Sequence, residues 1–232
     1  MRNIFKYFYY MYYRPKIFFP RKTYSMYGED IVIDKFFEKK QNGFYLDIGC
    51  YHPIDGNNTY LLYKKGWNGI NIDINQISVD LFKIARKDDL NINTAISNTS
   101  KKVKLYYRKK INMLNTIDRK FAKLNFKKGF KSKTINSNSI NSILKKTKYK
   151  NKKIDFLNLD IEGNELKALL SLDFKKYGPR LICVEIHNLK STKDTIDYYK
   201  HSPIYKFLKK KGYRLFWNNG FSFIFKSSKV IH

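Results

Sequence analysis

Residues 44–73 read FYLDIGCYHPIDGNNTYLLYKKGWNGINID: an apolar run, a break at glycine, a helical segment, then a second apolar run closing on an acid. A strand–helix–strand unit of this kind sets its two strands parallel, joined by a right-handed crossover, and commits the chain to a layered α/β sheet. The rhythm repeats on both sides of an interruption. Strands are predicted over 44–48, 69–74 and 90–96, with helices over 58–65 and 76–86 between them. After residue 150 come a strand at 154–159, a helix at 164–170, a strand at 180–186 and a helix at 204–211. The chain finishes on runs 213–217 and 221–225 around Asn218-Asn219-Gly220, a strong short signal for an antiparallel hairpin.

The interruption spans 98–150. Residues 103–107 alternate like an edge strand, and the rest is rich in Lys, Asn and Ser without a long apolar stripe, as expected of a basic insertion that is partly loop. Charge singles out the same segment. Of a formal net charge of +28, residues 101–153 hold +18 and residues 1–22 hold +6, which leaves the remainder nearly balanced. The 232 residues, 43% of them hydrophobic, suffice for one domain with a substantial core. The expected organisation is a basic aromatic arm over 1–24 followed by one α/β domain over 25–232.

So much positive charge raises nucleic acid as a partner. Lysine outnumbers arginine 39 to 8, however, whereas base readers favour the planar arginine fork, so nucleic acid is set aside as the main partner. The arm, MRNIFKYFYYMYYRPKIFFPRK, lacks the uncharged run of roughly 18 residues that spans a membrane, and it lacks the small-residue cleavage site of a leader. Its Tyr and Phe interleaved with Lys and Arg suit either peripheral contact with anionic membrane, in a cytoplasmic protein, or an aromatic arm packed on the domain. Cys50 and Cys183 belong to apolar runs and read as buried thiols.

In doubly wound sheets a ligand sits outside the carboxyl ends of the strands, where the strand order reverses. Here those ends carry Asp47-Ile48-Gly49, Ile72-Asp73, Ala95-Ile96-Ser97 and Asp160-Ile161-Glu162-Gly163. Gly49 would let backbone approach a ligand closely. Asp73 can accept both hydroxyl hydrogens of a ribose, or it can cap the helix that follows. No G-x-G-x-x-G loop is present, so a nucleoside suits the crevice better than a dinucleotide pyrophosphate.

The segments YLDIGCYHPIDGNNTYLLYKKGWNGINIDIN, TAISN, IDFLNLDIEGNELKALLSLDF and RLICVEIHN, in this order, resemble the FkbM family of S-adenosylmethionine-dependent methyltransferases. The resemblance runs from about residue 25 to the C-terminal hairpin. Asn58-Thr59, Gly66-Trp67-x-Gly69 and Asp160-x-Glu162-Gly163-x-Glu165 carry most of it. Asn57 departs from a serine frequent in the family, and Asp73-Ile74-Asn75 from Glu-Pro-Asn, without removing the ribose-binding acid. The resemblance implies a class I methyltransferase fold: a Rossmann-like, mostly parallel, twisted α/β sheet that ends in the antiparallel C-terminal hairpin. It further implies S-adenosylmethionine as cofactor and O-methylation of a sugar hydroxyl in a cell-surface glycan or related metabolite. On that resemblance Asp47, Gly49 and Cys50 line the methionine end, and Asn58 and Thr59 complete the cofactor-binding set. Asp73 and Ile74 take the ribose, Ala95 and Ile96 the adenine, while Asp160 and Glu162 face the methyl group and the acceptor.

An alcohol attacks poorly unless its proton leaves as the new bond forms, so a base must stand within hydrogen-bond reach. Asp160, Glu162, Glu185 and His187 all fall near strand ends and qualify. Glu165, at a helix start, reads as structural, and His52, beside Pro53, as a residue that shapes its loop. Asp160 and Glu162 with a substrate diol can hold magnesium or calcium, but the spacing is not diagnostic and no metal is assigned. Two other functions stay open. One is a basic nucleic-acid-binding or RNA-modifying protein that grips phosphate through 101–153; the other is a nicotinamide-dependent oxidoreductase, weakened by the missing glycine fingerprint.

Overall fold

A computed structural model describes residues 4–13, 21–109, 112–187 and 198–229. Its first half runs α1 (Ile4–Tyr12), α2 (Glu29–Phe36), β1 (Phe44–Ile48), α3 (Tyr60–Lys64), β2 (Asn68–Asp73), α4 (Gln76–Ala85), β3 (Leu90–Asn93), β4 (Ala95–Ile96) and β5 (Lys101–Tyr107). Then come α5 (Arg119–Asn125), β6 (Lys131–Asn138), α6 (Ile140–Lys145), β7 (Phe156–Leu159), α7 (Glu165–Leu170), α8 (Phe174–Tyr177) and β8 (Leu181–Glu185). A 3-10 turn (Tyr198–His201), α9 (Pro203–Lys210), β9 (Tyr213–Asn218) and β10 (Ser222–Ser227) finish it.

Seven strands form one sheet in the order β3-β2-β1-β7-β8-β10-β9. The pairings β3–β2, β2–β1, β1–β7 and β7–β8 are parallel, and β10 lies antiparallel between β8 and β9. The chain winds outward from β1 to β3, then returns to the other side of β1, so the order reverses between β1 and β7. That is where such sheets hold ligands.

Burial explains why the strands were visible as apolar runs. Every residue of β1 and of β7 is buried, because helices cover both faces of a parallel sheet. Phe44, Leu46 and Ile48 face a core shared with Ile140, Leu169 and Leu208 of α6, α7 and α9. Tyr45 and Phe156 face the opposite core with Ile33, Leu62 and Trp67. Gly69 belongs to that packing, since a Cβ there would lie 2.1 Å from the Tyr45 ring.

Two expectations change. The run 90–96 is not one strand: it breaks at Thr94, where β3 leaves the main sheet edge and β4 pairs in parallel with β6 of a second sheet, ordered β4-β6-β5. Asp73 makes the break, because its carbonyl accepts from both Thr94 N and Asn93 Nδ2 and turns the chain. Within 98–150, β5 and β6 form a long antiparallel pair with β5 at the edge. The segment has no long apolar stripe but still supplies core: Ile140, Ile143 and Leu144 sit at helical spacing on the short α6 and are buried with Tyr149.

The opposite is true of α1. Met11 is buried and the Tyr7 hydroxyl donates to Asp80 of α4, but Ile4, Phe5, Phe8 and Tyr9 stay exposed. Much of the basic arm lies outside the described residues. Among the described residues no helix is long and apolar enough to cross a membrane.

Candidate active site

One buried cation organises the carboxyl end of β1. Arg86, fully enclosed at the end of α4, donates to Pro53 O at 2.6 and 3.0 Å, to Thr59 Oγ1 at 2.7 Å and to Asn57 Oδ1 at 2.7 Å. Around it Asp47 accepts from Thr59 Oγ1 at 2.7 Å, Asn158 Nδ2 at 2.8 Å and Asn57 Nδ2 at 3.3 Å. Burial pushes the Asp47 carboxyl up, while Arg86 and these three bonds pull it back. Asp89 is met by the Tyr45 hydroxyl, Gly69 N and Asn71 Nδ2. Asp47 and Thr59 therefore lie one layer beneath the ligand crevice rather than on its wall. Asn58 donates to Asn158 Oδ1 and, like Cys50, lines a neighbouring recess with Gly49.

Above this layer a cleft of about 580 Å³ opens between the ends of β1, β2, β4 and β7. Gly49, Asp73, Ile74, Ala95, Ile96, Asp160 and Glu162 line it, which brings together seven residues singled out from the sequence. Gly49 has φ +84, and a Cβ there would sit 1.6 Å from the Asp160 carbonyl oxygen. Glycine is thus required by the approach of two strand ends, a reason additional to the close ligand approach expected at this position. Asp73 combines both anticipated roles: it faces the cleft while accepting from Asn75 N at 2.6 Å and Tyr51 N at 2.9 Å. Burial raises its carboxyl to about 6.

The far wall was not foreseen. Asn112, Asn115, Thr116 and Ile117 come from the insertion, which as a basic loop gave no hint of lining a cleft. Asn115 Oδ1 on this wall and Asn164 Oδ1 at the start of α7, which also lines the cleft, are buried and accept no hydrogen bond among the described residues.

Beyond the cleft lies a wider basin of about 1370 Å³, bordered by Tyr27, Arg108, Lys109, Glu185 and Phe221. Asp160 and Glu162 line both spaces. Beside this shared wall His187 Nε2 stands 3.4 Å from Glu185 Oε2, 3.5 Å from Glu162 Oε2 and 3.8 Å from Glu165 Oε1. The Phe121 ring holds the imidazole edge-on at 5.1 Å. Burial, with repulsion from Glu185 and Glu165, raises Glu162 to about 8; burial first and Glu165 next raise Glu185 to about 7. Asp160 rises too, by burial and then by Glu185. Burial lowers the His187 imidazole below its ordinary value. Glu165 accepts from Ile161 N at 3.1 Å and Gly163 N at 3.0 Å, and His52 Nδ1 from Ile54 N and Asp55 N. Both residues tie down backbone, as their positions suggested.

A sheet whose parallel order reverses beside β1 and ends in an antiparallel β10, with an acidic strand end facing an open crevice, defines a class I methyltransferase fold. The profile of the methyltransferase FkbM domain matches residues 47–215, and the chain belongs to that methyltransferase family. Among solved structures the chain is similar to monomeric WbdD, at 11% identity and a TM-score of 0.47, covering 94% of this chain and 45% of that one. It is also similar to a protein described as a type 11 methyltransferase from Sulfolobus solfataricus, at 12% identity and a TM-score of 0.41, covering 88% and 95%. The chain thus spans less than half the length of the WbdD chain. No curated protein sequence matches it.

Proposed function

We propose that this methyltransferase takes its methyl group from S-adenosylmethionine and delivers it to a hydroxyl oxygen of a sugar, in a cell-surface glycan or a related metabolite. The observation that carries the reading is the sharing of Asp160 and Glu162 by two spaces, a narrow cleft on one side and an open basin on the other. This arrangement suits a group-transfer enzyme, since donor and acceptor can enter separately and be held together at one wall.

The cleft's residues fit the cofactor. Asp73 offers a carboxylate at the strand end for ribose hydroxyls, and Ile74, Ala95, Ile96 and Ile117 form an apolar slot for a purine. The orphaned oxygens of Asn115 and Asn164 can accept the hydrogens of the exocyclic amine. When bound, S-adenosylmethionine supplies a sulfonium methyl group to a nucleophile held in line with it. On the acceptor side Asp160 and Glu162 border the basin, with His187 against Glu162, and these groups can take or orient a hydroxyl proton. The Tyr27 and Phe221 rings, stacked 5.8 Å apart at the basin's edge, give a sugar an aromatic border.

We also infer peripheral contact with anionic membrane, on the exposed Ile4, Phe5, Phe8 and Tyr9 of α1 beside the basic residues of 1–22. The reaction is tested by incubating the protein with S-adenosylmethionine and a panel of cell-envelope glycans, then reading methyl incorporation by mass spectrometry. A mass gain of one methyl group on a glycan hydroxyl supports it. Methylation confined to RNA instead favours the nucleic-acid reading.

A further inference from the structure

We propose that Asp160, Glu162, Glu185 and His187 form a divalent-cation site, of the manganese or magnesium class, at the junction of cleft and basin. One ligand atom from each of the four lies within 4.8 Å of all the others. Divalent ions hold oxygen at about 2.0–2.6 Å, so ligands on opposite sides of one ion stand about 4.0–5.2 Å apart. The four atoms fit around a single ion with little movement.

An independent observation points to a ligand. Glu162 is only 8% exposed, and among the described residues its Oε2 accepts no hydrogen bond. That oxygen is aimed at His187 Nε2, 3.5 Å away, which is likewise buried and unpartnered, with Glu185 Oε2 3.4 Å from the same nitrogen. Among the described residues no lysine or arginine pairs with the three acids. Unsatisfied buried polar atoms are costly and rare, and a cation at their common focus satisfies all of them at once. Near the buried Asp47, by contrast, the chain places the enclosed guanidinium of Arg86, which offsets part of the rise that burial imposes on that carboxyl.

The backbone supports the same assignment. Glu162 has φ 57, a left-handed conformation that is strained for a residue with a side chain, and Thr116 Oγ1 fixes it by donating to its carbonyl at 2.7 Å. Strain of this kind, on the order of 1–3 kcal/mol, persists where surrounding structure over-determines it and clusters at functional sites. The donor set selects the ion. Carboxylates suit magnesium, calcium and manganese, a single imidazole favours manganese over calcium, and no thiolate stands in the cluster to draw zinc. The ion's open positions would face the basin, where adjacent hydroxyls of an acceptor can coordinate. Coordination makes a hydroxyl more acidic, so as the new C–O bond forms its O–H bond breaks, the proton passing to solvent by way of the site's acids, while the methyl C–S bond breaks and its electron pair leaves with S-adenosylhomocysteine. That role rests on the proposed methyl transfer; the binding itself does not.

The test titrates the full chain, first stripped with a chelator, with manganese chloride while free ion is read by electron paramagnetic resonance. Thermal midpoints are followed alongside. Saturable binding of a single ion per chain is expected, together with a raised midpoint. Glu162→Gln and Glu185→Gln should each weaken binding about 10-fold or more while still melting cooperatively, and His187→Asn repeats the test should either fail to fold. Manganese left free at millimolar concentration overturns the site, as does equal binding by wild type and all variants. Methyl transfer to a glycan at full rate by the stripped, ion-free enzyme overturns the cation's role and leaves the proposed reaction standing. Manganese bound tightly by a chain that methylates no hydroxyl acceptor upholds the site and removes the reaction.

Discussion

Asp47 and Glu162 are buried carboxylates associated with the neighbouring strands β1 and β7, and the comparison between them separates structural charge from functional charge. Around Asp47 every partner is present: three side-chain donors and the enclosed guanidinium of Arg86. Around Glu162 the neighbours are two more acids and an imidazole whose value burial lowers, and one of its oxygens accepts no hydrogen bond among the described residues. The first arrangement holds the β1 end, the loop at 53–59 and α4 in one place. The second leaves chemical capacity unspent on the wall between two spaces. Burial alone therefore does not mark a functional acid in this fold; burial without neutralisation does.

The comparison breaks first at Arg86. Arg86→Met leaves Asp47 and Asp89 buried without their cation, and urea unfolding should show a loss of about 3–5 kcal/mol. Glu162→Gln, by contrast, should leave unfolding free energy unchanged or raise it, since it removes an uncompensated acid. Equal losses in the two variants would erase the distinction.

Asp73 sits between these extremes, satisfied by two backbone donors yet facing the cleft. Asp73→Ala should cost on the order of 2–4 kcal/mol of cofactor affinity by calorimetry. Its carboxyl, raised by burial from 3.8 to about 6, also sets a pH dependence. Between those values the folded chain holds a proton that the unfolded chain has lost, so stability from this group is full below the lower value and disappears as pH rises through about 6. Ribose hydroxyls donate to the ionised form, so cofactor affinity should rise over the same interval. The nearby Asp47 pushes in the same direction as burial, and the Cys50 thiol, itself raised, stays neutral throughout. Calorimetry at about pH 5 and about pH 8 checks this, and the slope should vanish in Asp73→Ala.

At Glu162 the loss falls on turnover. Glu162→Gln should slow methyl transfer roughly 100-fold or more with cofactor affinity barely moved. A larger loss in His187→Asn would shift the proton-handling role to the imidazole. The smallest effect on the folded domain is expected from removing residues 1–22. Co-sedimentation with anionic liposomes should end, at roughly 1 kcal/mol for each basic residue lost, while cofactor binding persists.

The sheet was legible because parallel strands covered on both faces leave continuous apolar runs, and because Asn219-Gly220 marks the β9–β10 turn. The split at Thr94 was not, since it follows from two hydrogen bonds to the carbonyl of Asp73, distant in sequence. Arg86 reads in sequence like any surface charge at a helix end; only the packing of α4 against Pro53 and Asn57 encloses it. The strand-end acids could be named from position, and their meeting with Glu185 and His187 was expected of the topology. That they meet with no lysine or arginine among the described residues depends on side-chain directions no local pattern encodes.

Calorimetric titration of the wild-type chain with S-adenosylhomocysteine, with NADH in a parallel cell, tests the account most directly. Saturable binding of S-adenosylhomocysteine at a single site, retained in Glu162→Gln and weakened in Asp73→Ala, with no heat from NADH, is the expected result. Tight NADH binding with no response to S-adenosylhomocysteine would contradict the assignment of the cleft and, with it, the methyl-transfer reading.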